Sequence, residues 1–542
     1  MRKCISALAL TIGLLAGTPP ARAGQDELHG KIKHVLLISV DGLHSLDVAN
    51  YVAAHPGSAL AELSNHGVTF TNARTPANSD SFPGLLALIT GGSPVSHGLF
   101  YDVSYNRSIF DPADTACSNG PGNMQVFDES IDLYKGTPPV SQNVIDPNAL
   151  PNYINAEGKC VHFFPHNAMQ SNTVFEVVRA AGGHTAWADK HPAYDIANGP
   201  SGKGVEDLYT PEVTNLNGFD NTVSVVCTSQ NDQLKVNAIL HEIYGQRHDG
   251  TPGPGVPTVF GMNFQEVSVG QKLEIDNSAK GCAGDAFTGQ PGGYTAGAGT
   301  PTAVLAYGLD KADEALASFI RTLKAQGIYD STLIIVTAKH GQSPINPVLT
   351  NKPGHFADLV AALPDSATDP GGIAINNANN CSTGPCGFVQ DDDIALIWLS
   401  PADQAAGKAE AVRSYLNKNA KALFIEQVMA GAEINTRFNN PLHDSRTPDV
   451  IVQPVYGTIY THSTAKNAEH GGFSIGDTNV GLIVSHPSLN GRTVKTIVLT
   501  SQVAPTLLKA LGISPGQLDA VRKEGTDVLP FIFSDDDADH KQ

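Results

Sequence analysis

The sequence is short of positive charge: 34 Lys and Arg stand against 53 Asp and Glu, a formal net charge of −19 over 542 residues. Polyanions are bound by releasing counterions to clustered Lys and Arg, so nucleic-acid polymers and anionic membrane surfaces are excluded as general partners. If the substrate is an anion, the attraction must be local, from a bound metal ion or a few buried cations. After its first residues the chain also lacks any apolar run of the roughly 20 residues that a membrane span needs. It has no internal repeat. Cysteine is scarce, with seven in all.

The N-terminus reads Met1-Arg2-Lys3, then an apolar stretch from Ile5 to Ala16, then Ala21-Arg22-Ala23. This is the pattern of a secretory signal peptide over residues 1–23, which predicts a secreted or periplasmic protein. Cys4 leaves with it. The remaining six are even in number, and export makes disulfides expected. Their Gly-, Asn- and Pro-rich surroundings favour stapled loops, and sequence order pairs Cys117 with Cys160, Cys227 with Cys282, and Cys381 with Cys386, among about 15 connectivities.

Several near-continuous apolar runs predict strands buried on both faces of a parallel sheet: Val35 to Val40, Pro257 to Phe264 and Ser331 to Ala338. They alternate with helical segments, the longest from about Pro301 to Gln326, which predicts an α/β fold. Chemistry collects at the strand ends. Val40 runs into Asp41-Gly42, Ala338 into Lys339-His340-Gly341, and the strand His184 to Ala188 into Asp189-Lys190-His191. Open α/β sheets bind ligands at such carboxyl ends, although Asp41 also suits a plain turn, and Lys190 and His191 either line a pocket or sit in an exposed loop. His470 lies in another loop, Glu469-His470-Gly471-Gly472.

The stretch Asn78-Ser79-Asp80-Ser81-Phe82-Pro83-Gly84 delivers Ser81 to the first turn of a helix, where Pro83 is tolerated. A hydroxyl there faces unpaired backbone N–H groups and the positive end of the helix dipole. It can hold and attack a phosphoryl group, or it can simply cap the helix. One carboxylate, one hydroxyl and two imidazoles, Asp41, Ser81, His340 and His470, make a metal-assisted nucleophilic site.

Val40-Asp41-Gly42, Ser81-Phe82-Pro83 through Thr90-Gly91, His97-Gly98, His340-Gly341 and His470-Gly471-Gly472 together resemble the type I phosphodiesterase and nucleotide pyrophosphatase/phosphodiesterase family of the alkaline phosphatase superfamily. The resemblance implies an alkaline phosphatase-like three-layer sandwich with a central, mostly parallel sheet and long loop insertions. It makes residues 24–533 one catalytic domain with insertions near 101–170, 276–300 and 366–390, followed by an acidic tail at 534–542. It implies a two-zinc site with Asp41, Ser81, His340 and His470 as metal ligands and Ser81 as the transiently phosphorylated nucleophile.

Against that pattern, Lys339 stands where the family has Asp, Gln271 where it has a His, and Asp102 where it has the Asn that contacts phosphate. Glu266 replaces a further Asp only if the loop shifts by one residue. These changes set a site with one divalent ion or none beside the family's zinc pair. Lys339 becomes a catalytic candidate that balances an anionic transition state, pairs with Asp41 or Asp102, or acts as a base toward Ser81. The substrate-binding candidates are Asp102, Gln271, Lys190 and His191. The reading is an exported hydrolase of phosphodiester or nucleotide pyrophosphate bonds through a phosphoseryl intermediate. The alternatives are a phosphomonoester, sulfate ester or phosphonate hydrolase, and a catalytically weak anion-binding protein.

Overall fold

The apolar runs form parallel strands covered on both faces. The computed structural model describes residues 28, 30–126, 131, 145–214, 220–277, 286–295, 299–379 and 386–533. The segments expected as signal peptide and acidic tail lie outside them. Eight strands build the central sheet: β1 (His34–Val40), β2 (Gly67–Phe70), β3 (Thr185–Ala188), β4 (Asp207–Tyr209), β5 (Val259–Phe264), β6 (Thr332–Thr337), β7 (Ile483–Ser485) and β8 (Arg492–Val494). Their spatial order is β8-β2-β7-β6-β1-β5-β3-β4. β1 sits between β5 and β6, parallel to both, and β3 and β4 extend the parallel set. β7 runs antiparallel to both its neighbours, β6 and β2. Every residue of β5 and β6 is buried, as near-continuous apolar strands in the middle of a parallel sheet require.

Among the helices are α1 (Ser45–Ala54), α2 (Ser81–Thr90), α3 (Val225–Ile243), α4 (Glu266–Lys272) and α5 (Ala303–Ala325). α5 follows the expected span within two residues. It buries Leu305, Leu309, Leu316, Phe319, Ile320 and Leu323 on one face. All ten residues of α2 are buried, so it lies inside the molecule rather than on its surface.

A smaller unit follows β6. Its antiparallel sheet orders Phe388–Asp391, Ala395–Trp398, Val450–Pro454 and Ile425–Ala430. Phe356, Ile375, Ile397, Leu416 and Val452 share its core. The Asn- and Gly-rich stretch from Gly371, expected as loop, is helical over Pro370–Asn379, because Ala374, Ile375 and Ala378 are buried in or beside that core. Beyond it the chain forms two short helices, Pro401–Ala405 and Ala409–Lys418, with Gly407 at φ 67 between them.

Cys117 and Cys160 form the expected disulfide. Cys227 and Cys386 are also disulfide-bonded, while Cys282 and Cys381 lie outside the described residues. Among the described residues no helix is long and apolar enough to cross a membrane.

Candidate active site

Strand register brings the chemistry together. Ser39 lies opposite Asn263 on one side and Thr337 on the other. The residues just beyond these positions, Asp41, Gln265, Lys339 and His340, therefore emerge at one edge of the sheet, with Asp189 and Lys190 beyond the end of β3. Backbone bonds fix them: Asp41 N–H donates to the Phe264 carbonyl at 2.9 Å and Gly42 N–H to the His340 carbonyl at 3.1 Å. Gly42 has φ +80, and a Cβ there would stand 2.6 Å from Gln271 Oε1. The turn after β1 thus requires glycine on two counts.

Ser81 is the first residue of α2 and is only 4 % exposed. Phe82 stacks on Tyr194 at 4.5 Å between ring centroids. Gly84 lets the first turn lie against the strand end that carries His340. A Cβ there would meet the Lys339 carbonyl oxygen at 2.0 Å and its carbon at 2.6 Å. Gly471 N–H donates to the Ser79 carbonyl at 2.8 Å, tying the His470 loop to the loop before α2.

His340 and Lys190 meet the Ser81 hydroxyl, and the Tyr194 phenol is hydrogen-bonded to it as well. His340 Nε2 is 3.2 Å from Oγ. His340 Nδ1 is 2.9 Å from the Gly341 carbonyl, which can only accept, so Nδ1 carries the proton and Nε2 is left to accept from Ser81. Lys190 Nζ donates to Ser81 Oγ at 3.2 Å, to Asp41 Oδ2 at 2.9 Å and to Gln265 Oε1 at 2.8 Å. Its three N–H bonds are all used. Asn263 Nδ2 donates to the other Asp41 oxygen at 2.8 Å.

Lys339 is fully buried and turned to the other side of Asp41. Its ammonium donates to both Asp189 oxygens at 3.0 Å and to Tyr194 Oη at 3.0 Å, with Asp41 Oδ2 at 4.0 Å. Burial pushes the Asp41 carboxyl up, but Lys190 and Lys339 outweigh it and hold the group well below the usual carboxylate range. Burial pulls Lys190 down, yet Asp41 and Asp189 leave it above its ordinary value. For Lys339 burial prevails and the ammonium is lowered. Burial, with the His470 ring beside it, lowers His340 well below the ordinary range.

The other expected residues fall at different places. The His470 ring lies against His340, tilted by 37° with 3.8 Å between centroids, and its Nδ1 is 3.1 Å from Asp80 Oδ1. Burial and the Asp80 charge raise Asp102 to about 7, and burial raises Asp80 to about 6, so a buried carboxyl, Asp80, and a half-buried one, Asp102, lie beside the site. His191 turns to Glu212 at 2.7 Å. Gln271 Nε2 donates to the Gly42 carbonyl at 2.8 Å and to Tyr294 Oη at 2.9 Å, away from Ser81. Glu266 lines a cavity of about 670 Å³ with Asp232, Tyr307 and Lys311, which contains none of the residues around Ser81. Asp189, Tyr194, Asn263 and Gln265 received no role from the sequence. Gln265 and Asp189 follow β5 and β3 as Asp41 follows β1, and that position was the available signal.

His97 is buried outside this group, where it accepts from Leu99 N–H at 3.3 Å. Burial, with Arg446 and Lys523 nearby, lowers it to about 3. Unfolded, the ring titrates near 6.5, so between these values only the unfolded chain takes up the proton. Stability is expected to fall as pH drops from about 6.5 toward 3, by up to about 1.4 kcal/mol per pH unit from this residue. Urea melts across that window check it, with a flatter dependence in His97→Asn.

The fold has known counterparts. Murine ectonucleotide pyrophosphatase/phosphodiesterase 5, in an inactive variant bound to AMP, superposes with a TM-score of 0.53 at 14% identity over 89% of this chain and 96% of that one. The human protein of that name gives 0.51 at 14% identity over 89% and 95%. The alkaline phosphatase PafA gives 0.54 at 12% identity over 90% and 97%. No curated protein sequence matches the chain. The family described as type I phosphodiesterase / nucleotide pyrophosphatase matches residues 35–474. That span contains every strand-end residue described above, and the chain belongs to this family as a hydrolase acting on phosphate esters.

Proposed function

We propose that the chain is an exported hydrolase of phosphodiester or nucleotide pyrophosphate bonds that works through a phosphoseryl intermediate on Ser81. The observation that carries this reading is the polarity around Oγ: an imidazole nitrogen placed to accept its proton and an ammonium placed to face its charge. In the first step the Ser81 proton passes to His340 Nε2 as Oγ bonds to phosphorus. The leaving alkoxide or phosphate departs with the proton from His340. In the second step water gives a proton to His340, its oxygen bonds to phosphorus, and the Ser81 Oγ–phosphorus bond breaks as Oγ regains a proton. Export is supported by the N-terminal sequence pattern and the Cys117–Cys160 disulfide.

Members of the family are zinc metalloenzymes. The donor set here does not fit their zinc pair. Between Asp41, Ser81 and His340 stands Lys190 Nζ, and the family's second Asp of that group is Lys339. Of the other ion's ligands only His470 is present in kind, and it faces Asp80. No step above passes through a metal.

A nucleotide phosphoryl group is the first substrate class to test, since AMP is bound by the murine counterpart. Turnover of a bis-aryl phosphate, a mono-aryl phosphate, an aryl sulfate and an aryl phosphonate tests the reading. The expected order has the diester first. A preference for monoester, sulfate or phosphonate replaces the substrate class. Equal inactivity of wild type and Ser81→Ala across the panel favours an anion-binding protein.

A further inference from the structure

We propose that the Lys190 ammonium is the resident cation of this site, standing where the family uses a divalent ion, and that ester cleavage proceeds without bound metal. The proposal rests on the reading of Ser81 as nucleophile. It begins from space. Zinc binds oxygen at about 2.0–2.2 Å. Lys190 Nζ is 2.9 Å from Asp41 Oδ2 and 3.2 Å from Ser81 Oγ, so an ion bridging those oxygens would overlap the ammonium.

Charge gives a second, independent argument. Asp41 and Asp189 are balanced by Lys190 and Lys339, whose ammonium groups lie 2.9 and 4.0 Å from the same Asp41 oxygen. All four side chains are buried. A divalent ion among them would add two positive charges in a place with little water to screen them. Removing Lys190 to make room would break its three hydrogen bonds to Asp41, Ser81 and Gln265.

The ammonium can do the ion's work at the reacting oxygen. It donates to Ser81 Oγ and so favours the alkoxide as the proton leaves for His340. Its bonds to Asp41 and Gln265 hold it there without rearrangement during the step. Gln265 and Asn263 act as positioning residues: one holds Lys190, the other holds Asp41. Neither touches Oγ.

The test uses the full chain after dialysis against a strong chelator. Turnover of the bis-aryl phosphate is expected to stay within about twofold of the undialysed protein, and added zinc is expected to leave it unchanged. Titration calorimetry with zinc is expected to give no tight binding by wild type. Lys190→Ala is expected to lose about 10²–10³-fold in turnover and to gain zinc binding, because Asp41, Ser81 and His340 are then free to ligate. A melting curve establishes whether that variant is folded, and the wild-type experiments need no variant. Stoichiometric tight zinc binding by wild type, or activity lost to the chelator and restored by zinc, overturns the proposal while leaving the Ser81 reading intact. If no phosphate ester is cleaved with or without zinc, the Ser81 reading fails, and the calorimetry still decides the place of Lys190.

Discussion

Ser81→Ala is expected to lower turnover of a bis-aryl phosphate by about 10³-fold or more while leaving the melting temperature close to that of wild type. The small stability effect follows from the site itself. Ser81 gives up its bonds with His340, Lys190 and Tyr194, while Lys190 keeps Asp41 and Gln265 as acceptors and Tyr194 keeps Lys339 as a donor. The N-terminus of α2 is not weakened by loss of a cap, since its N-cap residue is Asp80. His340→Gln is expected to lose about 10²–10⁴-fold, the usual contribution of a general base. The two effects should not add, because both residues serve one proton transfer. Stopped-assay kinetics on the two single variants and the double variant check this.

Gly84→Ala is expected to damage both stability and activity although the residue touches no substrate. Its Cβ would lie 2.0 Å from the Lys339 carbonyl oxygen and 2.8 Å from the Lys339 Cα, and backbone atoms cannot swing aside as a side chain can. Overpacking of this kind costs about 1–3 kcal/mol. Relief comes from moving α2 away from the end of β6, which separates Ser81 from His340. A displacement near 1 Å is enough to cost about 10²-fold in kcat. Equilibrium unfolding and steady-state kinetics on the same preparation test it. A variant of wild-type stability and rate would show that α2 tolerates the methyl group and that its seat on Lys339 is not needed.

Much of this site was legible because chemistry and periodicity coincide. β1, β3 and β6 are apolar runs that stop abruptly at polar residues, so Asp41, Lys190, Lys339 and His340 could be picked out as strand-end groups. Ser81 stood out by its place before Pro83 at a helix start. The side on which each lysine would act was not legible. Lys339 follows β6, the neighbour of β1, and Lys190 follows β3, one strand further away, and only the three-dimensional arrangement turns the first to Asp189 and Tyr194 and the second to Ser81.

Gln271 shows why spacing alone misleads on a helix. It lies in the last turn of α4, six residues after Gln265, which caps the start of that helix, and at about 100° per residue the two do not share a face. Gln265 therefore meets Lys190 while Gln271 meets Gly42 and Tyr294. The helix Pro370–Asn379 was missed for a different reason. Its Gly and Asn content argues for a loop, and the burial of Ala374 and Ile375 that makes it a helix depends on residues far along the chain.

The most direct measurement is mass spectrometry of the wild-type chain quenched in acid during turnover of a bis-aryl phosphate, where a phosphoserine ester is stable. The account predicts an aryl-phosphoryl adduct on the peptide containing Ser81, absent from Ser81→Ala. Full turnover with no adduct at any time point, or an adduct on another residue that persists in Ser81→Ala, would contradict it.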